Sequence, residues 1–454
     1  MKQIQLTTKT IIGIVMAVSI AVRILFALYQ PHAPTSADSI GYYNLGMEMI
    51  KHPTPKTIIS EFRTPLYPLF IASLGQLSGF NNVIEGYIFG PDFHYTGRVI
   101  MGMQQFLGIV GIFLLVSLLV YMKFSNLTIF ALSLFTSLNI IIFFWERTIL
   151  TEGLATTTLL LLLFFLARIM KSPKSINFLF LWICFGVNFL LRPALILLPI
   201  VTLPFIFLSL HKRVDKVKVI VTLIASILIP ILYIAGNSVY HNYRGIQHVG
   251  DIDVFGRILE FNIPLDAGEK YTYFYEKVTE YKNNIGGFNA FAFIDYYDIN
   301  MYTNTTRMNE LQGFARTILL HNLPSYTTNA IATIPQIMVY VSPSVREILD
   351  APTSPIQIYF SGLALLYGTL LPLSLLTIPL YPIAIYLFFQ KKSVKRVLLA
   401  ILGSVAVSYV VLTSFVVFTE DYGRLLSPMQ PLFLVFIIGT IQELLQKNIL
   451  FKNS

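Results

Sequence analysis

Ten apolar runs divide this chain, and two polar stretches interrupt their succession. The runs cover 8–29, 98–121, 127–145, 149–169, 175–191, 193–210, 218–237, 358–389, 397–418 and 425–445. A helix of about 18 or more apolar residues is long enough to cross a bilayer, and the shorter runs are supported by their polar flanks. Pro372, Pro379 and Pro382 fall inside 358–389, which reads as one kinked span with an extension or as two shorter segments. The pattern predicts an all-α polytopic integral membrane protein of about ten transmembrane helices.

The polar stretches have helical spacing of their own. Residues 30–97 hold a helical segment at 39–51 and a semi-apolar run at 66–80, too short to span and expected at the membrane interface. Residues 238–357 shift towards Asp, Asn, Lys, Tyr and Gly, with helical spacing at 269–284 and 303–321. The expected organisation is a transmembrane catalytic module over 1–237 carrying the outer loop 30–97. An extracytoplasmic helical cap follows over 238–357, then C-terminal transmembrane helices over 358–454.

Composition and charge sharpen this picture. The 454 residues are 55% hydrophobic and 12% charged, against about 25% charged in soluble domains, which excludes a soluble enzyme. The net charge of +9 sits mostly in short loops, so it reports topology and not nucleic-acid binding. Lys2 and Lys9, Lys123, Arg168 to Lys174, Lys212 to Lys218, Lys391 to Arg396, and Lys447 with Lys452 fall on alternate sides of consecutive spans. Counting 358–389 once puts all of them, and both termini, in the cytoplasm. The first run then reads as a retained signal-anchor in the cytoplasmic (inner) membrane. Cys184 stands alone inside an apolar run, so no internal disulfide forms. No repeat is visible, and repeats are the usual mark of a lipid-linked sugar flippase or transporter.

In this topology charged residues gather at the outer ends of helices, where placing them is costly and points to function. Arg23 lies near the outer end of the first span. Asp38 follows within Ser36-Ala-Asp-Ser-Ile-Gly-Tyr-Tyr-Asn-Leu45. Glu146, Arg147 and Glu152 occupy one short turn, Arg192 another, and Glu420, Asp421 and Arg424 a third. Each has a plainer reading. Asp38 suits the N-cap of 39–51, Glu152 a helix N-terminus, Tyr42 and Tyr43 an interfacial belt. Arg23 and Arg192 suit snorkelling, and Arg424 a local pair with Glu420 or Asp421. His52, Asp92 and His94 read as loop residues. Asn304-Thr-Thr306 matches a glycosylation sequon.

Five motifs together resemble a family. Asp38-x-x-x-Tyr42-Tyr43-x-Leu45-Gly46, Arg63-Thr-Pro-Leu-Tyr-Pro, Glu152 opening a span, Leu191-Arg192-Pro193, and Tyr422-Gly-Arg424 before Pro428 and Pro431 are similar to the C-type (GT-C) glycosyltransferases. The branch resembled is the protein mannosyltransferase-like group that includes the aminoarabinose transferase of lipid A. His321-Asn-Leu-Pro-Ser-Tyr326 resembles a segment of that group's outer domain.

The resemblance implies an inverting transferase that moves a sugar from a polyprenyl-phosphate carrier to a glycan, glycolipid or protein acceptor on the outer face. It implies that Asp38 is the general base and that Glu152 orients the acceptor, with Tyr42 and Tyr43 beside them. Arginine gives bidentate contacts to phosphate oxygens, so Arg63, Arg192, Arg424 and Arg23 are the candidates for the lipid phosphate. Protein mannosyltransferases carry Glu directly after the Asp, where this chain has Ser39. Related oligosaccharyltransferases bind a divalent metal, and Asp38, Glu146 and Glu152 offer oxygen ligands for one. The expectation is nonetheless no metal and no cofactor. A polysaccharide polymerase or ligase using diphosphate-linked glycans would draw on the same outer arginines.

Overall fold

The structure is a computed structural model that describes residues 7–31, 37–85, 93–285, 289–297, 304–349, 354–418 and 422–452. Among the described residues every regular element is helical. The α-helices of five or more residues are α1 Thr8–Tyr29, α2 Ala37–Lys51, α3 Leu66–Leu77, α4 His94–Tyr121, α5 Asn126–Leu138, α6 Ile140–Glu146 and α7 Glu152–Lys171. They continue as α8 Ser175–Leu191, α9 Leu198–Ser209, α10 Arg213–His241, α11 His248–Glu260, α12 Thr272–Ile285, α13 Ala290–Tyr297, α14 Thr305–His321 and α15 Leu323–Val339. The last are α16 Pro355–Leu370, α17 Thr377–Gln390, α18 Val394–Val416, α19 Tyr422–Leu426 and α20 Gln430–Lys452.

Local chemistry sets the ends of these helices. Thr7 and Ser393 accept bonds from the Thr10 and Arg396 amides, capping α1 and α18. Ser354 and Gln357 form a reciprocal capping box before α16. Helix α7 opens on Glu152 and closes on Arg168 and Lys171, which complements its dipole.

Among the described residues seven helical elements are long and apolar enough to cross a membrane, and α5 with α6, bent by 51°, passes the same test when taken together. The shorter apolar helices Ser175–Leu191 and Pro193–Ser209 occupy the remaining two expected positions. The run 127–145 is therefore two helices with a sharp bend between them. Asn139 stops α5 in an extended conformation, and its Oδ1 accepts from the Ile141 amide to start α6. The long run 358–389 is one helical element, Pro355–Gln390, tightened to a 3-10 turn over Leu371–Leu376 at Pro372.

The main apolar core is built from α4, α7, α9, α18 and α20. The basic loops meet at one end of this bundle. Lys392 Nζ donates to the Leu208 carbonyl at 2.7 Å, Lys218 Nζ to the Pro173 carbonyl at 3.1 Å, and Arg396 and Lys395 both pair with Glu443.

The opposite end carries the two polar stretches. The run at 66–80, expected to lie at the interface, forms α3 and is covered by α2, where Tyr43, Met47, Tyr67, Ile71 and Ala72 share one cluster. The crossing is tight, since a Cβ on Gly46 would lie 2.0 Å from the Pro68 carbonyl oxygen. Helices α11 to α14 close around Phe255, Phe274, Phe293 and Phe314 as a separate cluster. The expected helices at 269–284 and 303–321 appear there as α12 and α14. Asn304 of the sequon caps α14 by accepting from the Arg307 amide.

Gly46→Ala is expected to lower the thermal midpoint of the detergent-solubilised protein, with overpacking costing about 1–3 kcal/mol. Gly250→Ala, where an added Cβ meets nothing within 4 Å, leaves the midpoint unchanged or raises it.

Candidate active site

The α2/α3 crossing and three helix ends bring five charged side chains together. Asp38 sits in the first turn of α2, where a helix dipole favours an acid. Arg63 comes from the segment before α3. Tyr233 on α10 anchors that segment by donating to the Ser60 carbonyl at 2.8 Å. The Arg63 guanidinium lies 4.9 Å from the centre of the Tyr42 ring, a cation–π contact that aims it. Arg192 ends α8 in an extended conformation, forced by the following Pro193. Glu152 opens α7, and Arg424 lies on α19.

These side chains alternate in sign. Arg63 Nη2 is 2.5 Å from Asp38 Oδ1, and Arg424 Nη1 is 2.9 Å from Asp38 Oδ2. Arg424 Nε lies 3.4 Å from Glu152 Oε1, and Arg192 Nη2 lies 3.6 Å from the same oxygen. Three guanidiniums against two carboxylates leave one net positive charge. Burial pushes the Asp38 carboxyl up, but the Arg63 and Arg424 charges outweigh it and hold the group at about 2.

A cavity of about 780 Å³ is lined by all five residues and by Tyr42. Glu152 is 2% exposed, yet its Oε2 meets no hydrogen-bonding partner among the described residues. Buried polar atoms are normally bonded, so this wall is built to receive a polar group. The cap supplies the facing wall through Tyr243, Asp251, Asp253 and Asn289. Asp251 accepts from the Tyr243 hydroxyl and, at 3.0 Å, from Gln312 Nε2. Burial outweighs those bonds and raises its carboxyl to about 6. A second, apolar groove of about 540 Å³ runs between α9, α17 and α18, and Leu412 lines both spaces.

Several of the residues singled out in the sequence, Glu146 and Arg147 among them, lie elsewhere. Arg23 is 2% exposed and makes a bidentate pair with Glu146, Nε to Oε2 at 2.7 Å and Nη2 to Oε1 at 2.6 Å. Its remaining nitrogen donates to Ser19 Oγ, so it is a buried partner for an acid and not a cavity wall. Glu146 fits because Gly108 has no side chain, a Cβ there falling 2.1 Å from Oε1. Tyr43 is fully buried and donates to the Phe80 carbonyl, while its neighbour Tyr42 lines the cavity. His52 and His94 do not line the cavity. Asp92, Glu420 and Asp421 lie outside the described residues.

The three acids considered for a metal do not converge. Arg23 holds Glu146, and arginines stand on both sides of Asp38 and against Glu152. Among the described residues no group of three or more His, Cys, Asp or Glu is placed to hold a metal ion. An acid set interleaved with guanidiniums fits an anion and not a divalent cation, so no step is derived through a metal.

Some positioning residues escaped the sequence reading. Arg257 on α11 is fully buried. It donates to the Ser414 carbonyl at 3.0 and 2.6 Å, to Glu260 at 2.6 Å, and to the Tyr422 hydroxyl, two residues before Arg424. Its signal was a lone arginine among the apolar residues of 248–260. Gln104 on α4 accepts from the Tyr67 hydroxyl and donates to the Glu146 and Thr148 carbonyls, which holds the turn into Glu152. A glutamine inside a spanning run was the available clue.

No family model and no curated protein sequence matches this chain. Several solved structures are similar to it. The Archaeoglobus fulgidus oligosaccharyltransferase tethered to an acceptor peptide containing the NVT sequon is 11% identical, covering 97% of this chain and 50% of its own, with a TM-score of 0.49. The archaeal oligosaccharyltransferase AglB of the same organism, in complex with an inhibitory peptide and a dolichol-phosphate, is 12% identical over 98% of this chain and 51% of its own, TM-score 0.47. ArnT from Cupriavidus metallidurans bound to undecaprenyl phosphate is 15% identical over 90% and 77%, TM-score 0.34. The chain spans about half the length of the archaeal structures it matches. Any functional reading therefore rests on this chain's own site.

Arg23→Met is expected to cost about 3–5 kcal/mol of stability by stranding Glu146, and Arg23→Met with Glu146→Met to recover most of it; thermal unfolding of the three proteins checks this. Asp251, with a folded carboxyl at about 6 against an ordinary 3.8, costs nothing at pH below its ordinary value and destabilises the fold as pH rises through about 6. Asp251→Asn therefore matches the parent at about pH 4 and exceeds it above about pH 6, by on the order of 1–3 kcal/mol, in unfolding followed across pH.

Proposed function

We propose that this protein is an inverting glycosyltransferase that takes a sugar from a polyprenyl-phosphate carrier and passes it to an acceptor hydroxyl. The observation that carries the reading is Asp38 set between Arg63 and Arg424 in a cavity that also holds Glu152 and Arg192 and adjoins an apolar groove at Leu412. A base and three guanidiniums share one space, with an apolar channel beside it. That combination suits a reaction in which a hydroxyl loses a proton while a lipid phosphate leaves.

Arg63, Arg192 and Arg424 would bind the phosphate, since guanidinium forks match its oxygens and stabilise charge that grows on departure. The prenyl chain would lie along the groove lined by Leu197, Val201, Val407, Val411 and Phe415. Asp38 takes the proton as the acceptor oxygen attacks the anomeric carbon, and a single displacement inverts that centre. Glu152 Oε2 accepts a hydroxyl of the bound sugar or acceptor. The cap over 238–357 would close the cavity with Tyr243, Asp251 and Asp253 and meet the acceptor, a glycan, glycolipid or protein.

The gathering of the basic loops at the other end of the bundle supports a site on the outer face of a cytoplasmic membrane, with both termini inside. The catalytic module is 1–237 and the returning helices 358–454 complete the groove.

Asp38→Asn is expected to lower transfer of labelled sugar from a synthetic polyprenyl-phosphate sugar by about 10²–10⁴-fold, the usual loss of a general base. Normal turnover in that variant would reject the assignment. Arg192→Ala should raise the donor KM about ten- to hundredfold, as for loss of one charge-assisted bond. Val407→Trp should weaken use of long-chain carriers while sparing a short-chain analogue. Replacing the monophosphate donor with a diphosphate-linked oligosaccharide separates this reading from a polymerase or ligase.

A further inference from the structure

Asp38 as it stands is masked. Each of its oxygens is held by a different guanidinium, Oδ1 by Arg63 at 2.5 Å and Oδ2 by Arg424 at 2.9 Å. A carboxylate in that setting is a weak base towards a hydroxyl. The same two guanidiniums are the groups best placed to bind a phosphate in the cavity. Carboxylate and phosphodiester each carry one negative charge and each accept paired guanidinium bonds, so they compete for one pair of cations.

We infer that the donor's phosphate displaces Asp38 from Arg63 and Arg424, so that binding the leaving group is what releases the base. The inference rests on the donor reading above and adds a regulation of that site. The displaced guanidiniums need little travel. Arg424 already reaches Glu152 Oε1 through Nε at 3.4 Å, and Arg63 is steadied by the Tyr42 ring. Once their charge is satisfied by phosphate, the burial that already opposes ionisation of Asp38 acts with less opposition, and its basicity rises. A sugar acceptor arriving without donor meets a masked base, which protects against idle proton transfer.

The charges balance through the step. The acceptor oxygen forms its bond to the anomeric carbon as the bond from that carbon to the phosphate oxygen breaks. The acceptor proton passes to Asp38, which becomes neutral, and the carrier phosphodiester of charge −1 becomes a phosphomonoester of charge −2. The arginines are held hardest by phosphate at the moment Asp38 is protonated and cannot compete. When Asp38 gives its proton to water it reclaims Arg63 and Arg424, and the carrier phosphate is driven out.

The test is equilibrium binding of undecaprenyl phosphate and of undecaprenol to the purified full chain in nanodiscs. Wild type, Asp38→Asn and Asp38→Ser are compared, with undecaprenol binding as the control for fold. Removing the competing carboxylate should tighten undecaprenyl phosphate in both variants by about tenfold, equivalent to ~1.4 kcal/mol, and slow its release, while undecaprenol is unaffected. If wild type prefers the phosphate to the alcohol but both variants bind the phosphate no tighter than wild type, the exchange is overturned and the donor reading stands. If wild type shows no preference for the phosphate over the alcohol, the donor reading falls and the exchange with it.

Discussion

The alternating series Arg63–Asp38–Arg424–Glu152–Arg192 is the constraint around which this end of the molecule is arranged. Charges at the edge of a bilayer are costly alone and tolerable when paired. Each member comes from a different part of the chain, so the series can form only when α2, the 52–65 segment, α7, α8 and α19 are all in place. The pairing that builds the site is thus also what ties the first polar stretch to helix ends far along the chain.

A second layer of buried polar contacts holds that series in position. Gln104 fixes the turn between α6 and α7, and so the start of the helix that presents Glu152. Arg257 joins the cap to α18 and to Tyr422, and so sets where Arg424 begins. Arg23 with Glu146 packs α1 against the end of α6 through the space left by Gly108. None of these contacts lines the cavity, and each makes its geometry less free to drift. Preorganised charge of this kind works where water is excluded and dipoles are fixed.

Much of the frame was legible along the chain. Span length and apolarity require helices, because an unpaired backbone cannot sit in lipid. The ten runs, the helix at the start of the first outer loop and the helical cap all follow from that rule and from spacing. Asp38, Glu152, Arg192 and Arg424 were visible as charges at helix ends, and Arg63 through the motif Arg63-Thr-Pro-Leu-Tyr-Pro. Arg23 had the same signature and proved to be a structural partner, because one-dimensional position does not say which way a side chain turns or which acid it meets. Tyr42 and Tyr43, adjacent and identical in type, point to opposite fates for the same reason: successive positions on a helix face about 100° apart.

The amino-acid order by itself determined the long apolar helices and the collection of charges at helix ends, since hydropathy and loop charge are sums over local residues. Only the tertiary structure decided which charges pair, that both oxygens of Asp38 are occupied, that the chain bends sharply at Asn139, and that a polar cavity adjoins an apolar groove at Leu412. Those are relations between segments far apart in the chain. They arise because close packing admits one arrangement of helix ends, and buried charges must find partners within it.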